Sequence, residues 1–173
     1  ALPICASEKA VRTLFEEANN SGKSTLIGVI VGKDLDDGKG KARSTILRHP
    51  HEKKSGRTSS ISQNFIKVNE KKYLNFVDLA GHEKYLKTTV YGVTGLFPDY
   101  GIVVIGANTG ITKLTREHIG ILFYLNIPFI ICITKIDLAP RHVYQKLCNR
   151  LKNLLTKQTI HYYCLFIHSG RFE

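Results

Sequence analysis

In the stretch "NNSGKSTLIG" the triplet Gly22-Lys23-Ser24 has the residue types of a loop that grips a polyphosphate. Backbone amides around a glycine at a helix start can wrap phosphate oxygens, and the helix N-terminus adds positive potential. The candidate cradle is Asn20, Ser21, Gly22, Lys23, Ser24 and Thr25. Lys23 can reach β- and γ-phosphates, and the Ser24 hydroxyl can bind Mg²⁺. The full pattern G-x-x-x-x-G-K-[ST] requires another glycine five residues before Gly22, where Glu17 stands. Alone, the triplet also suits an ordinary turn before a helix.

A second stretch, "DLAGHEKY", follows an apolar segment and starts at Asp78. A carboxylate at the carboxyl end of a strand can hold Mg²⁺, usually through water. Gly81 has no side chain to keep its amide from a γ-phosphate. His82, the next residue, is then placed to orient an attacking water. A third stretch, "TKID", again closes an apolar run. Asp137 can accept hydrogen bonds from guanine N1–H and the 2-amino group together. Adenine offers an acceptor at N1 and no 2-amino group. A buried carboxylate left unsatisfied costs on the order of a few kcal/mol, which selects guanine. The stem of Lys135 can lie along the base.

These residues need a scaffold that brings strand ends together. "STLIGVIV" suits a helix ending near Gly32, "DLDDGKG" a loop and "KARSTILRH" a short helix. "PHEKKSGRTSS" reads as a polar, mobile loop. "ISQNFIKV" and "KKYLNFVD" read as strands joined by a turn at "NE". "YLKTTVYGV" is helical. "YGIVVIGA" and "IPFIICITKID" are apolar runs suited to strands buried on both faces. "TREHIGILFYLN" is an amphipathic helix capped by Thr112 or Thr115. "PRHVYQKLCNRLKNLL" is a helix with Val143, Leu147, Leu151 and Leu154 on its apolar side, and "TIHYYCLFIHS" is a last strand. Strands alternating with helices predict an α/β domain with a mostly parallel sheet and helices on both faces. Ligands of such sheets gather at the carboxyl ends of the strands.

The chain has 173 residues, enough for one domain with a real core. Its 43% hydrophobic and 23% charged residues are those of a soluble globular protein, with no membrane span and no signal peptide. Cys5, Cys132, Cys148 and Cys164 lack metal-ligand or redox spacing, which predicts reduced thiols and a cytoplasmic protein. The net charge of +11 is partly local. Lys39, Lys41, Arg43, Arg48, Lys53, Lys54 and Arg57 face only Glu52 as an acid in that stretch. The segment 39–57 suits contact with a polyanion such as RNA, or is a solvated basic loop. No aromatic residues interleave its charges to stack bases.

In order, spacing and position the three motifs resemble the G domain of a translational-type GTPase, a P-loop NTPase fold. "DLAGH" is that superfamily's form of switch II. "LDDGKGKARSTILRHPHEKKSGRTSS", "TTVYGVTGLFPDYGIVVIGANTGITKLTREHIGI" and "ICITKIDLAP" resemble most closely the GTP-binding protein 1 and 2 family. The likeness covers roughly residues 19 to 157, and Thr134, where most GTPases have Asn, also fits it. The resemblance implies GTP/GDP and Mg²⁺ as ligands. It makes Thr58 the switch I threonine that ligates the metal and senses the γ-phosphate. It also implies an RNA or ribosomal partner that stimulates hydrolysis. DNA binding is not expected, and a monomer is.

Both ends depart from the family. "SEKAVRTLFEEAN" spaces Val11, Leu14, Phe15 and Ala18 as one helix face with Ser7 as its cap, although "AVRTLF" can still serve as a poor strand. "FIHSGRFE" holds at most a trace, at Ser169, of the last guanine-contacting motif. The first and last strands are therefore the doubtful ones. The expected division is an atypical, helical segment 1–18, then a truncated G domain over 19–173 without the β-barrel domains that follow in the superfamily. With no methionine in the chain, these ends predict a truncated or mis-spliced product. The expected function is Mg²⁺-dependent GTP binding and hydrolysis. The alternatives are a catalytically defective binding module, or a basic RNA-binding domain.

Overall fold

The computed structural model describes residues 9–17, 21–47, 49–55, 58–70, 72–80, 83–155 and 162–166. Among these residues six strands form one sheet: β1 Lys9–Glu17, β2 Ser62–Asn69, β3 Lys72–Asp78, β4 Tyr100–Gly106, β5 Phe129–Thr134 and β6 Tyr162–Phe166. The helices are α1 Lys23–Gly32, α2 Lys41–Ile46, α3 Pro50–Ser55, α4 Leu86–Leu96, α5 Lys113–Tyr124 and α6 Arg141–Leu155. The strand order is β2-β3-β1-β4-β5-β6, and only β2 runs antiparallel to its neighbour.

Alternation along the inner strands divides the core into two layers. Val103 and Ile105 of β4 and Phe129, Ile131 and Ile133 of β5 pack with Val93, Ile119, Leu122, Leu147, Leu151 and Leu155 from α4, α5 and α6. The opposite pleats supply Val104 and Cys132, which pack with Ile27 of α1 and Ile46 of α2. Full burial of one such aliphatic side chain is worth about 1.5–3 kcal/mol. Helices thus cover both faces, and every parallel strand delivers its carboxyl end to the same edge.

The amino-terminal helix expectation is overturned. Lys9–Glu17 is a strand, set between β3 and β4. Val11 pairs with Leu74, and Phe15 pairs with Asp78 on one side and Ile102 on the other. The helical spacing of Val11, Leu14 and Phe15 coexists with a strand-compatible alternation of Val11, Thr13 and Phe15. Two flanking ladders decide between them, because each satisfies backbone groups that a local pattern leaves open. Ser7 and Ala18 lie outside the described residues.

The mobile-loop reading of 50–55 is also corrected, since α3 occupies it. Pro50 suits the first helical turn. The Glu52 carboxylate accepts the His49 amide at 3.3 Å, as the third helical residue does in a capping box. Both candidate caps of α5 act together: Thr112 Oγ1 accepts the Thr115 amide at 3.1 Å, and Thr115 Oγ1 accepts the Thr112 amide at 3.3 Å. Among the described residues no helix is long and apolar enough to cross a membrane.

Candidate functional site

The chain passes from β1 to α1 through Ser21 and Gly22. Glu17, standing where the motif has glycine, is the last residue of β1 and pairs with Val104. Extended backbone is open to any residue, so this position makes no demand for glycine. Gly22 does: its φ of 90° lies in the left-handed region, and its carbonyl accepts the first helical bond, from the Leu26 amide at 2.9 Å. Gly106, at the end of β4, has the Ser21 Cα 3.7 Å from where a Cβ would stand, and that Cβ would clash with Asn108 and Thr109.

Lys23 and Ser24 open α1. The Lys23 ammonium forms a salt bridge with Asp78 Oδ1 at the end of β3. Both residues are 1% exposed. Ser24 Oγ lies 2.9 Å from Thr58 Oγ1 and donates to Asp78 Oδ2 at 3.1 Å. Thr58 Oγ1 also donates to Asp78 Oδ2, at 3.2 Å. The three residues singled out as metal ligands thus meet at one point, from α1, from the segment after α3, and from β3. Among the described residues no group of three or more His, Cys, Asp or Glu side chains gathers to hold a metal. Two hydroxyls and one carboxylate are a sparse set of hard oxygens. That suits Mg²⁺, which keeps several waters and shares the oxygens of a phosphate.

After Asp78, Leu79 and Ala80 are buried, and the Ala80 carbonyl accepts the Thr89 hydroxyl of α4 at 2.9 Å. Gly81, His82 and Asn20 lie outside the described residues, as does Ser169. Thr25 lies half-buried on α1.

Thr134 ends β5, and its hydroxyl donates to the Ser21 carbonyl at 2.6 Å. The Ala107 amide meets the Thr134 carbonyl at 2.8 Å, which locks the ends of β4 and β5 together. Lys135 follows with a φ of 55°, an uncommon conformation for a non-glycine residue. It starts the short 3-10 turn Ile136–Leu138, where Asp137 stands exposed. The base-reading candidates are therefore tethered to the phosphate-loop candidates.

Two buried groups escaped the sequence reading. His118 of α5 is 1% exposed. Burial, aided by the nearby Lys23 charge, pushes its pKa down to about 4. Glu52 is equally buried. Its burial alone would raise the carboxyl, but the Ser59 amide and hydroxyl, the His49 amide and the Ser60 hydroxyl outweigh this and hold it at about 2. The available signal for Glu52 was its solitude, as the lone acid of a basic run followed by a pair of serines.

Residues 18–168 match the family described as Elongation factor Tu GTP binding domain. The chain is 41% identical over 160 residues to GTP-binding protein 1 of Xenopus laevis, covering 79% of this chain and 24% of that protein. It is 40% identical over 162 residues to human GTP-binding protein 2, covering 82% of this chain and 27% of that protein. It therefore spans about a quarter of the length of these curated relatives. Among solved structures, a bacterial selenocysteine-specific elongation factor superposes with a TM-score of 0.74 at 25% identity, over 91% of this chain and 25% of that one. The elongation factor SelB of Methanococcus maripaludis, in complex with the GTP analogue GPPNHP, shares the fold with a TM-score of 0.68 at 21% identity, over 94% of this chain and 31% of that one. With its P-loop-type α/β fold, the chain belongs to the translational-type GTP-binding domains of the elongation factor Tu family and is closely related to GTP-binding proteins 1 and 2.

Proposed function

We propose that this chain binds Mg²⁺·GTP and hydrolyses it to GDP. The observation that carries the reading is the meeting of Lys23, Ser24, Thr58 and Asp78 at the carboxyl edge of the sheet. Ser24, Thr58 and Asp78 would hold Mg²⁺, which when bound neutralises charge on the phosphate oxygens. Amides from Asn20 to Thr25 cradle the phosphates, and Lys23 exchanges its Asp78 partner for them. Thr134 holds the base-reading turn against the loop, Lys135 lies along the base, and Asp137 accepts from guanine. His82 orients the attacking water, and the Gly81 amide meets the γ-phosphate. No motif places an arginine in the site, so intrinsic hydrolysis is slow.

The test is a titration with a fluorescent GTP analogue and with GDP, with and without Mg²⁺, alongside phosphate release from GTP. Saturable binding that is lost in Lys23→Ala, with ATP unable to compete, supports the reading. His82→Ala should lower turnover and leave affinity unchanged. Absence of binding at high micromolar analogue would replace this reading with an inert module.

The basic segment favours an added RNA or ribosomal contact. Lys39, Lys41 and Lys53 are exposed, and several relatives are named as elongation factors. Such a contact would weaken steeply with salt. It belongs to a cytoplasmic, monomeric protein in this reading.

A further inference from the structure

Glu52 is the only acid between Gly38 and Arg57. Among the described residues it forms no salt bridge with the cations around it. Its Oε1 accepts the Ser59 amide and hydroxyl, each at 2.8 Å, and the Ser60 amide and hydroxyl at 3.2 and 3.1 Å. Its Oε2 accepts the amide of His49, which precedes α3. One carboxylate therefore ties the start of α3 to the chain beyond it. A buried charge satisfied by several donors, three of them backbone amides, fixes local geometry far more firmly than an exposed ion pair does.

Thr58 immediately precedes the two anchored serines. It is buried, and its hydroxyl meets Ser24 and Asp78. Fixing the backbone at residues 59 and 60 restricts where Thr58 can go. His51 Nε2 adds a contact to the Ser59 hydroxyl at 2.9 Å, but it lies on the exposed side and leaves the amides untouched.

We propose that Glu52 is a positioning residue, a latch that holds residues 58–60 so that the Thr58 hydroxyl stays with Ser24 and Asp78, and that it thereby sets how tightly the nucleotide-loaded site holds Mg²⁺. The latch rests on the reading that nucleotide and Mg²⁺ bind at these residues. Glu52 touches neither and acts through Thr58 alone.

Two measurements on the full chain test it. The first is amide hydrogen exchange at Ser59 and Ser60 without nucleotide. The second is the Mg²⁺ concentration giving half-maximal binding of a non-hydrolysable GTP analogue, set against GDP binding in chelator. Glu52→Ala should speed exchange at both amides by about ten-fold or more and raise the Mg²⁺ midpoint several-fold, with GDP binding in chelator unchanged. Glu52→Gln keeps acceptor oxygen without charge and should fall between. Should Glu52→Ala fail to fold, Glu52→Gln and Ser60→Ala carry the same two readouts.

Unchanged exchange would overturn the latch. Faster exchange with an unchanged Mg²⁺ midpoint would overturn it too, since the carboxylate would then serve the loop and not Thr58. Equal losses with and without Mg²⁺ would mark a general collapse and also count against it. If the unaltered chain binds no guanine nucleotide, the proposed function fails by itself, and exchange alone then decides the latch.

Discussion

The Thr134 hydroxyl and the Ser21 carbonyl, 113 residues apart in the chain, are joined by a 2.6 Å hydrogen bond. The bond links the end of β5 to the turn that opens α1. Two segments proposed to hold opposite ends of one ligand are thereby kept in fixed relation. Thr134→Val keeps the shape but leaves the buried Ser21 carbonyl without this donor. The expected loss is about 1–2 kcal/mol, roughly ten-fold in guanine-nucleotide affinity, with Thr134→Ser close to normal. A fluorescent GDP titration measures it, and equal affinity for Val and Thr would refute the tether.

Lys23 and Asp78 are both almost wholly buried. Replacing Asp78 by Ala leaves the ammonium in the interior without its carboxylate, a change that costs about 3–5 kcal/mol. Removing both partners should cost less than the sum of the single losses. Urea unfolding of the two single variants and the double variant checks this; strict additivity would contradict the pairing.

His118 supplies a pH dependence. Its folded pKa, about 4, lies below its ordinary 6.5. Between these values the unfolded chain binds the proton and the folded one does not. Stability should therefore fall as pH drops from 6.5 towards 4, and this contribution levels off below that. The full effect is on the order of 3 kcal/mol. The positive charge of Lys23 reinforces the effect of burial. Measured in denaturant across that range, His118→Gln should show a flatter slope than the unaltered chain.

Cys132 is buried in the core cluster with Val104 and Ile27, and burial pushes its thiol up to about 12. It should resist thiol reagents in the folded protein, whereas half-buried Cys148 reacts before it. Peptide mass mapping after brief labelling reads the order directly. Early modification of Cys132 would show that this layer of the core opens.

Legibility in the sequence followed how local the determining forces are. β4 and β5 are apolar runs closed by polar residues, so each announces itself without help from elsewhere. β1 does not, because "KAVRTLFEE" satisfies two periodicities and only its partners, β3 and β4, select one. α3 carries a local cap in Pro50 and Glu52, yet the carboxylate's other contacts lie past the helix, at Ser59 and Ser60. Polarity alone made that stretch look unstructured. Lys23, Ser24 and Asp78 stood out through motif spacing. Thr58 has no comparable local mark and entered only by resemblance. Glu52 needed the fold to be seen, since its role depends on what closes over it.

The placement of β1 has an architectural consequence. It is the first of the described strands, yet it lies inside the sheet, paired to β3 on one flank and β4 on the other. Excising residues 9–17 would not trim a border. It would part the molecule into two ribbons, one of β2 and β3 and one of β4, β5 and β6, each with a raw flank of unmatched amides and carbonyls open to pairing with other chains.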